Sequence, residues 1–197
     1  MLAARFSARS ADWHLDALAS VRRDGYAIVE DVMSPALLDL ARDAMYGAQD
    51  QIRAEIGRER LERAGELGVL RLMLRHDSLF FSLLELDEVL AVVDGTLPST
   101  AILHLQNGLI LPPRGAADPG EIFQNSFHRD FPRHMEGYVA SLNTFLAIDE
   151  FTTLNGATLL VPGSHQRAQA PDRAEMQCRH MHARRACTPC TSGSPRR

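Results

Sequence analysis

The sequence predicts a mainly β protein with flanking helices, arranged as a β-sandwich or a jelly roll. Residues 1–97 contain apolar residues at helical spacing, whereas residues 98–165 contain β-branched and aromatic segments separated by Gly and Pro turns. The length of 197 residues fits one domain, at roughly 150 residues per domain. We therefore expect helices over about residues 1–97, strands over about residues 98–165, and an irregular, disordered tail over residues 166–197.

The first half shows clear local signals for a strand and for helices. Residues 26–30 form an apolar run after an Asp-Gly turn, which predicts a short strand. Ser34 suits an N-cap and Pro35 suits the first helical position, so a helix should begin there. The apolar run in residues 78–98 predicts one or two further buried helices.

The second half changes character near Pro98. "STAILHLQNGLIL", at residues 99–111, favours a strand, and "PPRGAADPGE" after it predicts a loop. "GYVASLNTFLAIDEF", at residues 137–151, has the length and the β-branched and aromatic content of a strand. "LNGATLLVPGSH", at residues 154–165, predicts a turn, an apolar strand and a second turn.

Charge and cysteine are unevenly distributed. Every basic residue is arginine: residues 1–165 contain 14 arginines and 23 acidic residues, and residues 166–197 contain 7 arginines and 2 acidic residues. All 3 cysteines lie in the second segment. The cysteine-free body fits a reducing compartment, and we expect a cytoplasmic protein. An acidic body without a long apolar run predicts binding to neither nucleic acid nor a membrane.

The stretch "NSFHRDFPRH" places His128 and Asp130 two residues apart. Residues i and i+2 of a strand point to the same face, so an imidazole and a carboxylate would meet there. They would supply two of the three ligands of a 2-His-1-carboxylate site, the arrangement that holds Fe(II) in many oxygenases. The pair alone is weak evidence, because an ordinary surface turn can have the same sequence.

A protein-kinase catalytic loop also contains His-Arg-Asp, followed by an Asn five residues after the Asp. Here Met135 occupies that place, and no Gly-rich loop precedes a matching strand. The kinase interpretation is therefore rejected.

Several segments in order resemble the phytanoyl-CoA dioxygenase family of Fe(II)/2-oxoglutarate oxygenases. They are "QNGLILPPRG", "FHRDFPRH", "LAIDEFTTLNGATLLVPGSH" and, less specifically, "DGYAIVEDVMSPALLDLAR" near the start, so the resemblance covers about residues 20–166. It implies a double-stranded β-helix, that is, a jelly roll, with helices packed outside. It also implies that His128 and Asp130 are iron ligands and that the cofactors are Fe(II) and the co-substrate 2-oxoglutarate.

The resemblance implies roles for three further residues. Gln106 and Asn107 match positions that lie near 2-oxoglutarate in the family, although Asn107 could equally be a turn-former. Arg129 could contact the co-substrate carboxylate or face solvent. His165, which closes the P-G-S-H turn, is interpreted as structural. The implied reaction hydroxylates a small organic or acyl substrate and releases succinate and CO2; neither the substrate nor the oligomeric state can be read from the sequence.

The family pattern also calls for a distal histidine and an arginine that pairs with 2-oxoglutarate, and neither has a clear counterpart here. The change in composition after Gln166 leads us to expect a truncated or frameshifted C-terminus and an incomplete jelly roll. The tail could instead hold zinc or a redox pair, through Cys178, His180, His182 and the Cys187-x-x-Cys190 motif. The alternative to an active dioxygenase is an inactive jelly-roll remnant or an interaction module.

Overall fold

The computed structural model describes residues 5–111, 127–130, 134–152, 155 and 158–176. Its six α-helices in these ranges are α1 Trp13–Asp24, α2 Pro35–Ile56, α3 Arg58–Arg63, α4 Leu79–Leu84, α5 Asp87–Thr96 and α6 Arg173–Met176. Two 3-10 turns span Met73–Arg75 and Ser164–Gln166. The strands are β1 Arg5–Ser7, β2 Ile28–Glu30, β3 Val69–Leu70 and β4 Gly108–Leu109.

The four strands form two separate two-stranded sheets. β1 and β2 pair in parallel, with Phe6 opposite Val29, and β3 and β4 pair antiparallel, with Val69 opposite Leu109. The strand predicted over residues 26–30 is confirmed as β2. Its partner β1 was not predicted, because three residues near the chain start offer no alternating pattern to recognise.

Helix α2 begins where the sequence predicts. The Ser34 side chain accepts a hydrogen bond from the Leu37 amide at 3.2 Å, and Pro35 occupies the first turn. Ser34 thereby satisfies one of the amides that a helix start leaves without a partner. The one or two buried helices predicted in residues 78–98 are present as two helices, of which α4 buries Phe80 and Leu83 and α5 has no fully buried residue.

The core lies mainly on one face of α2, against α4 and the chain around β3. Apolar side chains from these elements are almost completely buried there. They are Met33, Leu38, Ala41, Ala48, Ile52, Leu61, Leu70, Met73, Phe80 and Leu83. Leu146 and Ile148 pack against this cluster from the second half of the chain. Arg42 of α2 adds a polar link, since its guanidinium lies 2.9 Å from the Asp149 carboxylate and 2.9 Å from Asp39. These hydrogen bonds, that to Asp149 foremost, raise the pKa of Arg42.

The sequence predicts a mainly β protein, but the described residues are rich in helix and contain no closed sheet. Of residues 99–111 only β4 is strand, and residues 137–151 contain none. A strand exists only when its backbone groups pair with a neighbour, and the described residues supply no such neighbour for these segments. Ile102, Leu103 and Leu105 are consequently exposed, Ile102 at 87%.

The segment after the P-G-S-H turn differs from the predicted irregular tail. Residues 166–176 are described and end in α6. Asp172 and Glu175 cap this short helix reciprocally, because the backbone amide of each donates to the carboxylate of the other at 2.9 Å. The amide of Asp172 and the guanidinium of Arg167 both stabilise the Glu175 carboxylate and lower its pKa. The tail residues predicted to bind zinc or form a redox pair lie outside the described residues.

None of the helices in the described ranges has the length and apolar character needed to cross a lipid bilayer.

Candidate metal centre

His128 and Asp130 come together in the structure. The imidazole Nε2 of His128 lies 3.1 Å from the Oδ1 atom of Asp130. Both side chains are about half exposed, at 54% and 51%. The pair is therefore accessible to an ion from solvent and is not sequestered as a buried structural ion pair.

The separation of these two atoms suits a shared metal ion. Two ligand atoms at about 2.1 Å from a metal and at right angles to each other lie about 3.0 Å apart. An imidazole nitrogen with a carboxylate oxygen is also a donor set that divalent iron accepts. The described residues therefore fit two positions of an iron site. Within the described ranges, no group of three or more His, Cys, Asp or Glu side chains is arranged to hold a metal.

Asn143 holds the second oxygen of the Asp130 carboxylate. Its side-chain amide donates a hydrogen bond to Oδ2, which leaves Oδ1 facing His128. Partners of this kind fix the orientation of ligands and tune their basicity. Asn143 was not among the predicted site residues. The available signal was an amide side chain within the otherwise apolar and β-branched stretch "VASLNTFLAI".

Gln106 is tied to the helical half of the molecule. Its side-chain Nε2 donates to the Phe80 backbone carbonyl oxygen at 3.0 Å. The backbone carbonyl oxygen of Gln106 accepts from the Met73 amide at 3.4 Å. Its Oε1 atom is buried and has no hydrogen-bond partner in the described part of the chain. The Oε1 atom is a hydrogen-bond acceptor, and the carboxylates of 2-oxoglutarate are acceptors as well. The side-chain amide of Gln106 would therefore have to rotate, so that Nε2 takes the place of Oε1, before it could donate a hydrogen bond to 2-oxoglutarate.

Asn107, the neighbouring residue, is exposed. The Arg129 guanidinium reaches backbone carbonyl groups of residues 164–169. The roles of Gln106, Asn107 and Arg129 toward the co-substrate remain predictions.

His165 lies against the C-terminal end of α1. Its Nε2 atom is 3.2 Å from the Arg22 carbonyl oxygen, and the Gly163 amide donates to the Asp24 carbonyl oxygen at 2.8 Å. Gly25 ends α1 in a left-handed conformation, with φ of 87°. A Cβ atom on Gly25 would lie 2.5 Å from Nδ1 of His165, so both the backbone and the ring require glycine here.

Replacing Gly25 with alanine is expected to destabilise the protein by at least about 1 kcal/mol, because alanine disfavours a positive φ and its methyl group would displace His165. Urea denaturation followed by circular dichroism measures this change. Gly47→Ala is the matched control: Gly47 lies inside α2, and an added Cβ meets nothing within 4 Å. That variant should instead gain about 0.5–1 kcal/mol. Equal effects of the two substitutions would contradict the described contact.

An imidazole and a carboxylate at this separation, borne by an H-x-D segment, are compatible with two of the three protein ligands of a non-haem iron site. The sequence matches the phytanoyl-CoA dioxygenase (PhyH) family over residues 21–193. The chain belongs to this family, whose members share a jelly-roll fold and generally use Fe(II) and 2-oxoglutarate. The match extends past Gln166, into the segment whose composition differs from that of the body.

Two curated relatives from mycobacteria are similar to nearly the whole chain. They are uncharacterized protein Mb1539 of Mycobacterium bovis and uncharacterized protein Rv1501 of Mycobacterium tuberculosis. Each is 53% identical over 187 residues, which cover 94% of this chain and 65% of the relative. The chain thus spans slightly less than two thirds of the length of these relatives. No solved structure matches the chain.

Proposed function

We propose that this protein is an Fe(II)/2-oxoglutarate-dependent dioxygenase that hydroxylates a small organic or acyl substrate. The observation that carries the proposal is the 3.1 Å separation of His128 Nε2 and Asp130 Oδ1, in a chain that belongs to an oxygenase family of this type. The bound iron, with 2-oxoglutarate and dioxygen, supplies the oxidising chemistry, which yields succinate and CO2.

The residues of this chain have distinct tasks in the proposed site. His128 offers the lone pair of Nε2 when its imidazole is neutral, and Asp130 offers a negative oxygen, so together they hold the cation and offset one of its charges. Asn143 occupies Oδ2 of Asp130. It thereby favours binding of the metal through the single oxygen Oδ1, which leaves more of the coordination sphere for the co-substrate.

We assign Gln106 and Asn107, which lie in the strand-favouring segment directly before β4, to the co-substrate side of the site, because the family resemblance places both positions near 2-oxoglutarate. Asn107 is exposed, whereas Gln106 donates through Nε2 to the Phe80 carbonyl oxygen and would have to exchange the two ends of its amide to donate to a carboxylate. From the sequence, Arg129 is either a further co-substrate contact or a solvent-facing residue, and its hydrogen bonds to three backbone carbonyl oxygens favour a third role.

The test is formation of succinate from 2-oxoglutarate by the purified chain under air. We expect succinate release that requires Fe(II) and stops when a chelator is added. The control is a His128→Ala variant assayed at the same iron concentration, which should form no succinate above the rate of iron and buffer alone. An iron-independent rate, or an equal rate in the variant, would contradict the proposal.

The second candidate is a chain that no longer catalyses and acts as an interaction module. It is favoured by the fact that the described residues supply two metal ligands rather than three. This candidate predicts no Fe(II)-linked binding of 2-oxoglutarate near physiological concentrations. Anaerobic calorimetry decides between the two, because binding at micromolar affinity would exclude the second.

A further inference from the structure

Arg129 separates the two proposed metal ligands, and its side chain leads away from them. Its Nη2 atom donates to the carbonyl oxygens of Ser164, Arg167 and Gln169, at 3.3, 2.9 and 3.1 Å. His128 and Asp130 lie against each other, whereas the guanidinium of Arg129, which stands between them in the sequence, is held by the backbone of residues 164–169.

The three acceptors lie in the 3-10 turn and in the chain that follows it. Ser164 is the first residue of the turn Ser164–Gln166, Arg167 follows the turn in an extended conformation, and Gln169 lies two residues further on. Hydrogen bonds from a charged donor are stronger than those between neutral groups. The Nη2 atom carries two hydrogens, so at least two of the three acceptors share one hydrogen.

The turn that receives Arg129 is itself fixed to α1. The Gly163 amide donates to Asp24, and the side chains of His165 and Gln166 contact the Arg22 carbonyl oxygen, Gln166 at 2.6 Å. We call residues 163–169 the docked turn. An uninterrupted polar path therefore runs from the C-terminal end of α1, through the docked turn and Arg129, to the backbone between His128 and Asp130.

We infer that Arg129 is a positioning residue, which holds His128 and Asp130 at ligand separation by fixing their backbone to the docked turn. This inference rests on the proposed function, since it concerns the same metal ligands. In this role the guanidinium of Arg129 binds backbone carbonyl oxygens of the docked turn and does not bind the carboxylate of 2-oxoglutarate. Removing the guanidinium should then loosen the geometry of the ligand pair while both ligands remain in the chain.

The test compares metal affinity in variants at this position, with Co(II) absorbance as the readout for the metal alone. Arg129→Ala should bind Co(II) about 10–100-fold more weakly than the wild type, the usual cost of losing a residue that orients ligands. Arg129→Lys should retain most of the affinity, because its ammonium group offers three donors to the carbonyl oxygens. Arg75→Ala is the matched control, since Arg75 is 62% exposed and pairs with Glu55, and it should bind like the wild type.

Unchanged Co(II) affinity in Arg129→Ala would overturn the inference. The inference would also be overturned if Arg129→Ala kept its affinity for the metal and lost affinity only for 2-oxoglutarate, measured at saturating metal. That result would make Arg129 a co-substrate contact. Hydrogen exchange of the metal-free chain supplies an independent readout. Arg129→Ala should raise exchange in residues 127–130 and in the docked turn and leave α2 unchanged; no change there would overturn the inference.

The two proposals fail in different ways. A wild-type chain that does not bind Co(II) contradicts the proposed function. Hydrogen exchange still decides whether Arg129 fixes its segment to the docked turn.

Discussion

Asp130→Ala is expected to abolish Fe(II)-dependent succinate formation. The loss in rate should exceed the roughly 10–100-fold loss that follows when a residue that only supports a metal ligand is removed. The substitution removes the carboxylate whose Oδ1 atom lies 3.1 Å from His128 Nε2. Within the described residues it leaves a single metal ligand and an Asn143 amide without its acceptor. The measurement is the initial rate of succinate release across a series of Fe(II) concentrations.

Asp149→Ala is the control for this experiment. Asp149 is also an exposed aspartate, at 67%, but it pairs with Arg42 of α2 rather than with a histidine. Loss of an exposed ion pair costs at most about 1 kcal/mol of stability, so the Asp149 variant should form succinate like the wild type. If Asp130→Ala retains the wild-type rate, the assignment of the metal site is wrong.

A substitution with glutamate tests the geometry more finely. Asp130→Glu keeps the charge but lengthens the side chain by one methylene group, which moves the oxygen away from the position opposite His128. Misplacement of a reacting group by about 1 Å can cost about 100-fold in rate. We therefore expect Asp130→Glu to fall between the wild type and Asp130→Ala.

The sequence predicted those parts of the fold whose signals are local. Ser34 and Pro35 lie at the start of α2, and both act within one turn of the helix that they begin. The His128–Asp130 pair is local in the same sense, because two residues of one short segment reach a common point. Such features depend on neighbours in the chain and can be read without the fold.

Features that depend on distant partners were predicted poorly. Residues 137–151 have the composition of a strand, but strand formation needs a paired neighbour, and composition cannot supply one. The contacts of Arg129 join residues 35 to 40 positions apart, and Asn143 meets Asp130 across 13 positions. The periodicity of the sequence does not reveal such contacts between distant residues.

One local signal was available and was overlooked. Asp172 and Glu175 stand three residues apart, the spacing of a capping box, and they begin α6 as that motif predicts. The arginine-rich and cysteine-rich composition of residues 166–197 favoured an irregular tail. For residues 172–176, the spacing of two acidic side chains was more informative than the composition of the whole segment.

Leu38→Ala is expected to cause a large loss of stability, about 3 kcal/mol of the free energy of unfolding, within the range of roughly 2–5 kcal/mol for a buried leucine. Leu38 is 1% exposed and lies at the centre of the core between α2 and its neighbours. Its truncation removes apolar contacts and leaves a cavity that the surrounding helices fill only in part. The measurement is urea denaturation followed by circular dichroism at 222 nm.

Leu40→Ala, two positions along the same helix, is the matched control. Leu40 is 58% exposed, so its truncation removes little buried surface, and alanine favours helix slightly more than leucine. We expect a change within about 0.5 kcal/mol, the usual range for surface positions. Because the two variants share the chemistry of the substitution and the helix, the difference between them measures burial alone. Equal losses would mean that α2 presents a different face to the core, and the packing of Leu146 and Ile148 against that core would then have to be revised as well.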